Sequence, residues 1–146
     1  MKLNFKILII VAIIILAVVI LFYFMGNSKG QEQDVKKKSA IDSLFAIWLS
    51  VVGDGDKKTM LANEVALKNE LYDKLSLEEI DAISVYSTNL KLLLENKKRP
   101  FSPEFIGSLA YLTQNFNTAK DIISKTSFKD IFLNTATNVT AGNKQN

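Results

Sequence analysis

The feature that most constrains this chain is an unbroken apolar run from Ile7 to Met25, in which the Tyr23 hydroxyl is the only polar side-chain group. A helix rising about 1.5 Å per residue makes nineteen residues roughly 29 Å long. The hydrocarbon core of a bilayer is about 30 Å thick. The run is apolar on all sides, so it has no amphipathic face with which to lie along a membrane surface. A soluble core helix of this kind would have to be wrapped on every side, and the rest of a 146-residue chain is too small to do that. Ile7, Ile10, Ile14, Ala17, Leu21 and Met25 are therefore read as membrane-spanning positions. A cleaved signal peptide has a shorter apolar core, about 7–15 residues, followed by a small-x-small site. Here Phe24-Met25-Gly26-Asn27-Ser28 follows, and with no cysteine in the chain a lipoprotein-type lipidation is excluded. The expectation is an uncleaved signal-anchor at 7–25 behind a short tail, residues 1–6. It has no Asp, Glu, Lys, Arg or His, so no proton relay or ion path is suggested. Ala12 and Ala17 fall on different faces, so close helix pairing is not encoded. Phe22, Tyr23 and Phe24 suit an interfacial aromatic belt.

Flanking charge does not set the orientation. Lys2 and Lys6 precede the run, and Lys29, Lys36, Lys37 and Lys38 follow it. A short tail before a first apolar helix favours N-in, C-out. That would place the soluble part outside the cytoplasm, or on a virion membrane if the source is viral.

Composition removes several functions. Histidine and cysteine are both absent, so disulfides, a cysteine nucleophile, a histidine base and a Cys/His zinc site are excluded. Setting Lys2 and Lys6 aside leaves 16 basic against 15 acidic residues, which is no nucleic-acid footprint. The clusters Lys36–Lys38 and Lys97–Arg99 lack interleaved stacking aromatics and read as solvated helix ends.

Beyond the run, residues 26–36 (GNSKGQEQDVK) read as a linker, with two glycines and no apolar period. A helical domain is expected over 37–135. Ile41, Leu44, Phe45, Trp48, Leu49 and Val52 recur at helical spacing, and Ile47 and Val51 widen that arc beyond an ordinary stripe. Gly53-Asp54-Gly55-Asp56 breaks this helix. A second helix is expected from Thr59 to Lys74, with Leu61, Val65, Leu67, Leu71, Tyr72 and Leu75 apolar. Ser76-Leu77-Glu78-Glu79 has the capping-box pattern and starts a third, running to Glu95 with Ile80, Ile83, Tyr86, Leu90, Leu93 and Leu94 inward. Ser102-Pro103-Glu104 starts a fourth, to Asn115. Shorter pieces are expected at 118–124 and 128–134, and a disordered polar tail at 136–146. The fold class is all-α: one N-terminal transmembrane helix, then a small bundle of about five helices.

Candidate chemistry is sparse. Asp54-Gly55-Asp56 hints at calcium, but Lys58, Thr59 and Val65 stand where an EF-hand loop needs an acid or Asn, a Gly and a Glu. Glu78, Glu79 and Asp81 could do paired-carboxylate work, yet acids at a helix start are favourable in themselves. Glu70 and Asp73 read as a solvated face partnered by Lys68 and Lys74. No Ser-x-x-Lys motif and no glycine-rich phosphate loop occurs. No catalytic, cofactor-binding or metal residue is assigned, and no small-molecule substrate is evident. Phe45, Trp48 and Leu49 are candidate partner contacts, as are Phe101 and Phe105. The alternative for Trp48 is a core position, and for the two phenylalanines closure of the bundle.

These features point to a non-enzymatic structural or docking subunit, with the lipid bilayer and other protein subunits as partners. Its setting would be a bacterial secretion or motility apparatus, or a virion whose membrane it links to the capsid. An i-spanin-like lysis protein, or a small tethered enzyme using carboxylates and lysine, are the alternatives.

Overall fold

The structure is a computed structural model that describes residues 4–141. Among these residues every regular element is an α-helix, six in all. They divide into two units, with the boundary between Lys36 and Lys37.

Helix α1 spans Phe5–Val51, 47 residues. Its first unit holds the apolar run, and residues 4–33 are exposed throughout. The stretch read as a linker, residues 26–36, is helical as part of α1. Gln31, Glu32, Gln33 and Lys36 are good helix formers. Lys36 pairs with Glu32 one turn back at 2.7 Å, and the Ser28 hydroxyl donates to the Met25 carbonyl at 3.0 Å. Gly26 and Gly30 lower helix propensity but do not forbid helical dihedrals.

In the second unit, the last turns of α1 bury Ile41, Leu44, Phe45, Trp48 and Val51. Where one helix was expected over 59–74 there are two, α2 (Asp54–Ala62) and α3 (Glu64–Lys74). The break is Asn63, at φ −116° and ψ 20°, whose side chain donates to the Thr59 carbonyl at 2.9 Å. The kink buries Met60, while Leu61 and Val65, expected inward, are exposed.

Helix α4 (Leu77–Glu95) starts and ends where its sequence signals place it, and Ile80, Ile83, Tyr86, Leu90 and Leu93 are buried. Helix α5 (Pro103–Ile123) runs beyond the expected end, absorbing the piece expected at 118–124. Leu112, Phe116, Ala119 and Ile123 keep one stripe against the core, and that burial overrides the weak propensity of the polar stretch Thr113–Thr118. Helix α6 (Lys129–Ala141) continues into the segment expected to be disordered. Phe132, Thr135, Ala136 and Val139 form its buried face, with Phe128 buried just before it, a helical period hidden by threonine and small residues. The rest of that expected tail, residues 142–146, lies outside the described residues, as do residues 1–3.

One cluster of buried side chains joins all six helices. Its centre is aromatic. Trp48 meets Phe128 edge-on, with ring centroids 5.1 Å apart at 87°, and Phe132 lies 5.6 Å from Trp48 and 5.4 Å from Tyr86.

Candidate functional site

Of the acidic residues singled out in the sequence, Glu79 and Glu70 are held by structural partners, while Glu78, Asp81 and Asp73 are exposed. At the start of α4 the Ser76 hydroxyl accepts from the Glu79 N–H at 3.2 Å, and the Glu79 carboxylate accepts from the Ser76 N–H at 2.9 Å. Two otherwise orphaned N–H groups are thus met reciprocally. Glu79 also pairs with Lys125, which ties α4 to the end of α5. Lys125 foremost, and then the Ser76 N–H, hold the Glu79 carboxyl below its ordinary value of 4.5.

Glu70 is more engaged than a solvated face would be. It takes Lys74 at 2.8 Å and the Ser127 N–H at 2.9 Å, and also accepts the Ser127 hydroxyl. Its carboxyl is held low by Lys74 first and Ser127 next. The bond fastens α3 to the α5–α6 turn. Lys68 pairs with Glu64 at 2.8 Å and with Asp42 at 2.9 Å, and lies over the Phe45 ring at 5.0 Å. Asp54 and Asp56 sit in the first turn of α2. Among the described residues, no group of three or more His, Cys, Asp or Glu is placed to hold a metal ion.

Of the candidate partner contacts, the fold takes most inward. Trp48 is 0% exposed, Phe45 and Phe105 are buried, and Leu49 is partly buried. A side chain with no exposed surface cannot meet a partner without the core opening, so Phe45, Trp48 and Phe105 are core residues. Phe101 alone stays outside, 89% exposed. The sequence signal for this split is helical spacing: Phe105 falls in one stripe with Leu109, Leu112 and Phe116, expected to be buried, whereas Phe101 precedes the Ser102 cap and lies outside it.

No protein-family model, no curated protein and no solved structure matches this chain.

What the chain offers for function is therefore its surface. Three features stand out on it. The first is the apolar length of α1, where every side chain from Ile7 to Met25 is exposed, long and apolar enough to cross a membrane. Its candidate spanning positions, Ile7, Ile10, Ile14, Ala17, Leu21 and Met25, are all among them. The second is a cavity of about 510 Å³ lined by Tyr86, Leu109, Leu112, Phe116, Thr137 and Ala141 among others. Among the described residues, none of its lining side chains is charged. The third is the α4–α5 corner around Phe101, which joins an exposed aromatic to Lys97, Lys98 and Arg99.

Proposed function

We propose that this chain is a single-pass membrane protein whose α1 anchor tethers a helical bundle, and that the bundle serves as a docking or structural subunit of a membrane-associated assembly. One observation carries the reading. The nineteen residues from Ile7 to Met25 expose apolar side chains around the whole helix, with the larger ones from 43% for Ile9 to 72% for Phe22. Soluble monomers rarely expose contiguous apolar patches beyond a few hundred Å², and a lipid environment removes that penalty. The anchor carries no Asp, Glu, Lys, Arg or His, so its part is attachment rather than transport. Glu79 and Glu70 are taken up by a cap and by ion pairs, which favours a binding role over catalysis.

Tethering acts through concentration. Confining a domain to a thin layer beside the bilayer raises its effective concentration for a partner in the same layer, with no new contact needed. The bundle lies outside the cytoplasm in this reading.

The test is membrane fractionation of the full chain with intact-mass analysis of the product. Recovery of the uncleaved chain in carbonate-washed membranes supports the anchor. A mature product beginning beyond Gly26 would make the run a removed signal sequence. Because the chain lacks cysteine, Ser28→Cys gives a single site for membrane-impermeant labelling. Labelling in intact cells supports the outside location, and protection reverses it. Crosslinking in native membranes then identifies the partner; a chain that crosslinks to nothing but itself contradicts a docking role.

A further inference from the structure

The α4–α5 corner is the one place in the second unit where a large aromatic side chain stands almost wholly in solvent. Phe101 is 89% exposed, and Ile106, one turn into α5, is 53% exposed. These two residues hold the N′ and N4 positions around the Ser102 N-cap, where a hydrophobic staple would pack one on the other. With so much of its surface open, Phe101 is not accounted for by such packing. Nor is the corner slack. The Arg99 N–H donates to the Asn96 carbonyl at 2.8 Å, and the Ser102 N–H donates to the Arg99 carbonyl at 3.0 Å. Ser102 in turn caps α5, accepting from the Phe105 N–H at 3.2 Å. Two successive turns and a cap thus hold the aromatic in place.

The same turns present Lys97, Lys98 and Arg99, all exposed and, among the described residues, none in an ion pair. The nearest acids in sequence are Glu95, which faces Lys91 at 4.0 Å, and Glu104 in the first turn of α5. Elsewhere in this unit lysines find acidic partners, as Lys68, Lys74 and Lys125 do. An aromatic wedge beside unpaired cations has a natural complement in an anionic lipid surface. Phosphate headgroups meet the cations, and the ring enters the boundary between headgroup and acyl chain. A protein hot spot, by contrast, sets its aromatic anchor within a ring of packing residues that exclude water. Here the neighbours of Phe101 in sequence are a proline, a serine and charges.

We propose that the α4–α5 corner, with Phe101 as wedge and Lys97, Lys98 and Arg99 as headgroup contacts, is a second, reversible membrane-docking site selective for anionic lipid. This inference rests on the reading of α1 as an anchor. The eleven residues from Gly26 to Lys36 span at most about 36 Å even fully stretched, so an anchored bundle never leaves the neighbourhood of the bilayer.

The experiment uses the full chain with Phe101→Trp, reconstituted into phosphatidylcholine vesicles with or without phosphatidylglycerol, with lipids brominated near the headgroup as quenchers. The parent chain supplies the baseline, because its single tryptophan, Trp48, is buried in the core. The expected result is quenching of the new tryptophan above that baseline in anionic vesicles. High salt, or the triple change Lys97→Glu, Lys98→Glu, Arg99→Glu, returns it to the parent level. Circular dichroism confirms that these exposed substitutions leave the helices intact. A retained chain whose new tryptophan is quenched no more than the parent, or equally in neutral and anionic vesicles, overturns the inference and leaves the anchor standing. Crosslinks from Lys97 or Lys98 to an acidic protein in that same case would reassign the corner to a protein partner. A chain that separates from the vesicles on flotation removes the anchor, and this inference falls with it.

Discussion

Trp48 and Tyr86 bury polar atoms that no group among the described residues meets: the Trp48 Nε1 and the Tyr86 hydroxyl are enclosed without a hydrogen-bond partner there. Their value to the fold is apolar surface and ring contact. Trp48 is 0% exposed and packs on two phenylalanines, so Trp48→Ala should remove about 3–5 kcal/mol of stability. Urea titration of the detergent-solubilised chain, followed by far-UV circular dichroism, would show it as an earlier midpoint. Tyr86→Phe should do the reverse. It deletes a buried, unpaired hydroxyl while keeping the ring against Phe132, and a gain of about 1 kcal/mol is expected. The same hydroxyl gives an alkaline signature. Burial pushes the Tyr86 phenol up from its ordinary value of 10.0 to about 12. Between those values the unfolded chain has released a proton that the folded chain keeps. Stability therefore falls as pH rises through that window, at up to about 1.4 kcal/mol per pH unit. Tyr86→Phe should flatten that fall; an unchanged slope would mean the phenol ionises as freely in the fold as outside it.

At the scale of elements, helix starts are set locally and helix ends by burial. The Ser76–Glu79 box needs four residues and nothing distant, and the sequence shows it plainly. Ser76→Ala should cost about 1 kcal/mol by removing the acceptor for the Glu79 N–H, read as a lowered melting temperature with helix content unchanged. Glu70 and Glu79 add an acid dependence. Both carboxyls are held below 4.5 in the fold. Their contribution is therefore present above that value, and is lost as pH falls from there through the depressed folded values. Glu70→Gln should blunt the acid destabilisation; if the acid limb stays as steep, the Ser127 and Lys74 bonds hold nothing together. The same contrast explains which parts of the fold were legible. The apolar stripe of α4 and the Ser102-Pro103 start of α5 follow from spacing and cap chemistry alone. The continuation of α5 past Asn115 and of α6 past Asn134 depends on small or polar residues (Ala119, Thr135, Ala136) lying against the core, which no local propensity reveals. The break at Asn63 is likewise a tertiary matter, since it turns Met60 inward at the expense of Leu61 and Val65. Among the candidate contacts, Phe105 is buried and Phe101 is not. That outcome follows from helical spacing, since Phe105 shares the α5 stripe of Leu109, Leu112 and Phe116 and Phe101 stands before the Ser102 cap.

At the scale of the whole molecule, two kinds of apolar surface coexist in one chain. In the second unit, apolar side chains are mostly turned onto each other, with the few exceptions lying singly or in pairs. From Ile7 to Met25 they are turned outward without exception. Such a segment is stable only where its surroundings are themselves apolar, which is why tethering is the reading that leaves no large apolar surface unexplained. A charge placed at the middle of the run separates this from any account in which α1 simply rests in water. Leu16 lies near its centre and is 61% exposed, so it contributes nothing to the core. Leu16→Arg should cost insertion about 2.5–3.5 kcal/mol on translocon scales, roughly a hundredfold shift away from the inserted state. Carbonate extraction of membranes should then release more of the variant than of the parent, and Leu16→Ile would behave as the parent. The buried core should be indifferent to the change, so the urea transition monitored by Trp48 fluorescence should keep its midpoint. If Leu16→Arg were retained in membranes as firmly as the parent, lipid would not be what covers this helix, and a protein partner sheathing α1 would take its place.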